Sequence, residues 1–309
     1  MTRSVLRFCN GLITFLVTVV LIVCTAYAGY ALWDNQQVYD AVENTMGDMR
    51  AIIDQMDVPR DPSSFSAFVA SYTVQTAPPT PEPQAAIVVP EQTPGPAAQT
   101  TPTAAPTAAP TEEPKELSPF EQLRAINPEI TAWITMMGTA IDYPVMQGSS
   151  NYSYLNKDVY GNFALAGSIF LDSRNDSAYQ DIYSLLYGHD MSKHRMFSDL
   201  NLYKDEEFFK ENHLGILLTP EGGHLLQNVA CIVTSAGNSA LFNPENWKHF
   251  TPDQMLEAVR EDALHVSEEG MEALQVKIDA KEAFRIVALS TCSGEFTDAR
   301  TILLTLMDP

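Results

Sequence analysis

Three residues of this 309-residue chain could together carry out nucleophilic chemistry at a carbonyl: Cys292, Arg300 and His189. Cys292 closes the apolar run Leu289-Ser290-Thr291-Cys292, and Arg300 opens the next apolar run eight residues later. If both runs are antiparallel strands, a short loop returns Arg300 beside Cys292. A thiol becomes a nucleophile when its thiolate is favoured, and nearby positive charge favours it. A guanidinium at that position can also donate hydrogen bonds to a developing oxyanion. The remaining need is a proton carrier. His189, in Tyr187-Gly188-His189-Asp190, ends another strand-like run, and strand exits commonly place functional side chains.

Each of the three also has a structural alternative. A Cys at a strand end can be a small buried hydrophobe, a single His can be structural, and Arg300 can pair with a carboxylate such as Asp298. The other candidates lack matching partners. Cys231 reads as core, and His194, His213, His224, His249 and His265 lie in polar or helical contexts. There is no C-x-x-C, so a structural zinc ribbon is not expected, and neither a metal nor a cofactor is implied.

These residues need a scaffold, and the pattern from Leu117 onward supplies mostly strands. Thr131–Met136 and Ala140–Val145 flank a Met137-Gly138 turn. Ser168–Leu171, Asp181–Leu186, Leu214–Thr219, His224–Ser235, Phe284–Leu289 and Thr301–Leu306 follow. Ser118-Pro119-Phe120-Glu121 and Thr251-Pro252-Asp253-Gln254 are capping boxes that open helices. The second helix would carry Met255, Val259, Ala263 and Val266 on one face, and a shorter helix spans Glu206–Asn212. Many strands and few helices predict a β-barrel or sandwich with helical insertions.

The segment before Leu117 has a different character. No charged residue occurs from Phe8 to Trp33. A helix rises about 1.5 Å per residue, so about 20 residues span a bilayer core. Arg3 and Arg7 precede the run, whereas Asp34, Asp40 and Glu43 follow it, which orients the N-terminus inward and the rest outward. Ala26-Tyr27-Ala28 would suit signal cleavage, but the run is longer than a usual signal core, so residues 1–33 are expected to remain as an anchor. Residues 34–74 form a stalk region whose apolar positions (Val38, Val42, Met46, Met49, Ile52, Ile53 and Met56) recur at helical spacing. Residues 75–116 are rich in Pro, Thr and Ala and lack core-forming side chains, so they read as an extended linker. Residues 117–309 form the folded domain, with 13 basic against 27 acidic side chains. That acidity excludes a nucleic-acid-binding surface.

Four segments taken together carry a resemblance: Ile141-Asp142-Tyr143-Pro144-Val145, Gly167-Ser168-Ile169-Phe170-Leu171-Asp172, Tyr187-Gly188-His189, and Leu289-Ser290-Thr291-Cys292 with Arg300. In order and content they resemble a class B sortase over nearly all of residues 117–309. Ala288 stands where that family often has Thr, and the long Pro-rich linker is a further departure, one that suggests greater reach from the membrane. The resemblance implies a closed eight-stranded barrel and a membrane-anchored cysteine transpeptidase. Cys292 would be the nucleophile, cleaving the sorting signal of a secreted protein after Thr through a thioester. His189 would be the general acid and base, and Arg300 would stabilise the oxyanion. The acceptor would be an amine of a peptidoglycan precursor or, in pilus-building relatives, a Lys of another subunit. Asn151, Leu155, Ser290 and Thr291 would line the peptide groove. A cysteine peptidase releasing its acyl group to water needs the same residues, and a non-catalytic wall-binding module remains the other alternative.

Overall fold

The structure, a computed structural model, describes residues 2–59, 64, 67–69, 71 and 117–308. The linker expected over residues 75–116 lies outside the described residues. Helix α1 runs unbroken from Thr2 to Ile53 and ends in a 3-10 turn, Asp54–Met56. The expected anchor and stalk helix are therefore one element. Helix α2 (Pro119–Ile126) starts at the Ser118 capping box, with both reciprocal hydrogen bonds formed.

Eight strands close into a barrel: β1 (Ile130–Met136), β2 (Asp142–Met146), β3 (Ile169–Leu171), β4 (Tyr183–Tyr187), β7 (Leu214–Leu218), β8 (Gly223–Ser235), β10 (Arg285–Cys292) and β11 (Ala299–Met307). Their spatial order is β11-β10-β4-β3-β2-β1-β7-β8, and β8 pairs with β11 to complete the ring. Most pairings are antiparallel, while β2–β3 and β4–β10 are parallel. A small hairpin, β5 (Asp190–Met191) and β6 (Arg195–Met196), follows β4. A 3-10 segment, Ser198–Lys204, then leads into helix α3 (Glu206–Glu211).

Alternation along the strands separates three apolar layers. Val287 and Leu289 of β10 point into the barrel with Leu186, Cys231 and Leu303. Ile286 and Ala288 point outward, under helices α4 (Ser239–Phe242), α5 (Pro244–Trp247), α6 (Pro252–Arg260) and α7 (Glu268–Ala280). On a second outer face Met49 and Ile53 of α1 and Phe120 and Leu123 of α2 cover Ile130, Trp133, Met146 and Ile216.

The helix expected to carry Ala263 and Val266 stops at Arg260 instead. Asp262 adopts a left-handed conformation (φ 60°), which breaks the helix, and Ala263–Val266 form strand β9 on the edge of β8. Helix α7 was missed because its mixed pattern merges with that run. Cys231 is fully buried, as expected, and burial pushes its thiol up to about 12.

Candidate active site

The ends of β4, β10 and β11 define the site. In the β10–β11 ladder Cys292 lies directly opposite Arg300. Facing residues of such a pair project to the same side, with Cβ atoms about 5 Å apart. On the other flank of β10, Ser290 is level with Tyr187 of parallel β4. The Gly188 amide donates to the Ser290 carbonyl (3.1 Å), and the Thr291 hydroxyl donates to the Gly188 carbonyl (2.9 Å). The next residue of each chain is His189 and Cys292. Cys292 is thus the middle member, with the imidazole-bearing strand end on one side and the guanidinium-bearing strand on the other.

Parity decides which side chains share the groove. Ser290 and Cys292 follow Ile286 and Ala288 on the outer face of β10, as Arg300 follows Ile302 on β11. Cys292 is exposed, and His189 and Arg300 are half-buried. Thr291 has the opposite parity: it is buried, with its hydroxyl committed to Gly188. Of the residues expected to line the groove, Thr291 is therefore not brought there by its side chain.

His189 Nε2 lies 2.8 Å from the Leu155 carbonyl oxygen. A carbonyl only accepts, so Nε2 carries the proton in this contact and Nδ1 is the basic nitrogen of the neutral ring. Leu155 thus reaches the site through its backbone, while its half-buried side chain packs on the core beneath α1 and α2. The Gly188 position is sterically closed: a Cβ there would stand 2.5 Å from Ile169 and 2.6 Å from the Phe197 ring. Only glycine lets the chain turn out of β4 and present His189.

Arg300 Nη1 donates to the Ala299 carbonyl (2.9 Å), and Arg300 forms no salt bridge among the described residues. The alternative pairing with Asp298 is not formed. The loop after Cys292 is held instead by Glu295, whose carboxylate is paired with Lys204 and lowered to about 2, chiefly by that hydrogen bond. Ser290 is buried, and its hydroxyl has no hydrogen-bond partner among the described residues.

Asn151 is held away from free rotation. Its amide donates to Asp172 (2.9 Å), and its carbonyl oxygen accepts from the Ser173 amide (2.7 Å). Asp172, fully buried, also receives two hydrogen bonds from the Arg174 guanidinium (2.8 and 2.7 Å) and one from the Tyr187 hydroxyl (3.0 Å). Burial alone would raise its pKa. The hydrogen bonds from Arg174 and Asn151 outweigh that and hold it below the ordinary carboxylate value. Burial and the same carboxylate push Tyr187 up. This network ties the Asn151 loop to the strand that ends in His189. The sequence reading missed it, because Asp172 and Arg174 sit 15 and 13 residues from Tyr187 with no periodic signal. It also missed His194, whose Nδ1 lies 2.6 Å from the buried Asp199 carboxylate, pinning the hairpin just after His189.

A closed mixed barrel with Cys, His and Arg converging on one rim defines the sortase class of fold. No family model matches the chain. A curated sortase B of Staphylococcus aureus is 29% identical over 180 residues, covering 58% of this chain and 69% of the relative. A sortase B of Listeria monocytogenes is 30% identical over 175 residues, covering 56% and 66%. Among solved structures, a Streptococcus pyogenes class B sortase involved in pilus biogenesis is 35% identical and superposes with a TM-score of 0.55, covering 61% of this chain and 97% of that one. A Staphylococcus aureus sortase B–substrate complex is 27% identical with a TM-score of 0.52, covering 62% and 84%. The chain belongs to the class B sortases, a family of cysteine transpeptidases.

Proposed function

We propose that this sortase is anchored by α1 with its barrel outside the cell, and that it cleaves a C-terminal sorting signal after Thr and joins the freed carbonyl to an amine of a peptidoglycan precursor. The Cys292 thiolate attacks the Thr carbonyl carbon, and Arg300 donates to the resulting oxyanion. The C–N bond breaks, and His189 in its protonated form gives a proton to the leaving amine, leaving a thioester on Cys292. The incoming amine then attacks the thioester, neutral His189 takes its proton, and the thiolate leaves. Ser290, Asn151 and the Leu155 loop border the bound peptide. The observation that carries this reading is the placement of Cys292 between the strand ends that bear His189 and Arg300. Within Gly11–Val38 the N-terminal helix carries a stretch long and apolar enough to cross a membrane, which supports the anchor.

The test mixes the full-length protein in detergent with a Thr-containing sorting peptide and triglycine. An amide-linked product supports transfer, and free acid alone means hydrolysis. A second reading, polymerisation of pilin subunits, is favoured by the 35% identity to the Streptococcus pyogenes enzyme, against 27–30% for the sortase B proteins above. Replacing triglycine with a peptide that offers only a Lys side-chain amine separates the two: faster transfer to Lys supports the pilus reading.

A further inference from the structure

The unbroken helix α1 acts as a ruler between the membrane and the barrel. Its apolar stretch ends in the aromatic pair Tyr30 and Trp33, followed by Asp34, which is how a span meets the headgroup region. Gln37 and Val38 stand only four and five residues further on, about 6–8 Å along the axis. The headgroup layer beyond the hydrocarbon core is itself about 5–7 Å thick. Whatever part of the barrel touches Gln37 and Val38 is therefore held at headgroup depth.

The excursion between β2 and β3 lies there, beside the β5–β6 hairpin. Gln37, Val38 and Met46 line a cavity of about 270 Å³ together with Phe163, Leu165 and Met196. Lys193 donates to Gln36 (2.9 Å), and Arg195 pairs with Glu43. Farther up, Arg50 pairs with Asp142 (3.1 Å), and Met49 and Ile53 are buried against the barrel. These contacts run from Gln36 to Ile53 of α1, so the angle between helix and barrel is fixed.

The excursion buries Tyr154, Val159 and Ala166 against the barrel and leaves other large apolar side chains exposed. Lys157 and Phe163 are bridged across it, and Gly161, at φ +82°, makes the turn at its tip beside Tyr160. Tyr152 is 83% exposed, Phe163 76%, Leu165 57% and Tyr160 42%. Two tyrosines, a phenylalanine and a leucine clustered in 14 residues suit an interface that is wet on one side and apolar on the other. Lys157, exposed beside them, suits the phosphate layer.

We propose that this excursion, through Tyr160, Phe163 and Leu165, rests in the membrane surface and sets the height and tilt of the active-site groove. The link to the groove is covalent and short, because the Leu155 carbonyl that accepts a hydrogen bond from His189 Nε2 lies in the same segment. The proposal rests on the reading of α1 as a retained anchor.

The test places the photoreactive residue p-benzoylphenylalanine at one position at a time in the full-length protein, reconstituted in phosphatidylglycerol–phosphatidylethanolamine vesicles. The positions are Phe163, Leu165, Phe15 within the span, and Val276, which is exposed on α7 on another face of the barrel. After irradiation, lipid adducts are read by mass spectrometry. The expected result is lipid adducts at 15, 163 and 165, several-fold above that at 276. Adducts at 15 with none at 163 and 165 overturn the proposal while leaving the anchor intact. No adduct at 15 overturns the anchor and the proposal with it. Equal adducts at 163 and 276 overturn the fixed orientation.

Discussion

Cys292 and Arg300 face each other as a directly opposed pair in the β10–β11 ladder, the last such pair before the strands separate. Their distance is therefore set by backbone hydrogen bonds and not by a loop. Replacing Arg300 with Ala leaves the ladder intact, so the barrel should melt unchanged. Loss of one oxyanion donor should lower kcat about 10²–10³-fold. Arg300→Lys keeps the charge but not the fork geometry and should fall between. Steady-state kinetics with a sorting peptide checks this, and wild-type turnover in Arg300→Ala would remove Arg300 from the mechanism.

Cys292→Ala should abolish the covalent intermediate and all transfer. The side chain is exposed, so its removal leaves no cavity and the melting temperature should stay put. Intact-mass measurement after mixing with peptide should show the thioester adduct in the parent and none in the variant.

The Asp172 network predicts a pH-dependent stability. Its folded pKa is depressed below 3.8, so its contribution is complete above that value and is lost as pH falls through the lower folded pKa. Asp172→Asn should cost roughly 1–3 kcal/mol near neutrality, discounted because Arg174 is 40% exposed and keeps water. The gap between variant and parent should close on acidification below about pH 4. Thermal melts across pH test this, and a gap that widens in acid would reverse the assigned sign. The variant should also raise KM, because Asn151 loses its anchor.

The barrel was legible because its strands are apolar, β-branched-rich runs set apart by turns that carry Gly or Pro. The juxtaposition of Cys292 and Arg300 was legible because β10 and β11 form a hairpin, so sequence proximity reports spatial proximity, whereas His189 arrives from β4 across a parallel pairing. Thr291 was assigned to the groove from its place beside Cys292, yet a strand sends adjacent residues to opposite faces, and its hydroxyl is buried. The Ala263–Val266 strand hid inside a helical pattern that only Asp262 breaks. The docking of α1 was not readable at all. Met49 and Ile53 look like any amphipathic helix, and nothing in their spacing names the surface they cover.

That docking changes what residues 34–59 are expected to do. The domain boundary at 117 follows composition, yet Met49 and Ile53 are 0% and 3% exposed, packed with Phe120, Leu123 and Trp133. Burying each contributes about 1.5–3 kcal/mol. A polypeptide of residues 117–309 should therefore melt below one that begins at residue 34, with Trp133 and Met146 newly in water. Ile53→Asp in the longer polypeptide should reproduce most of the loss, because a charge cannot stay in that layer and α1 would leave it. The effect is capped by the free energy of undocking: once the helix is off, a further substitution at Met49 should cost nothing more. Differential scanning calorimetry on Ile53→Asp, Met49→Asp and the double variant checks the cap. Additive losses would mean that the two residues stabilise α1 independently and that the helix never leaves the barrel as a unit.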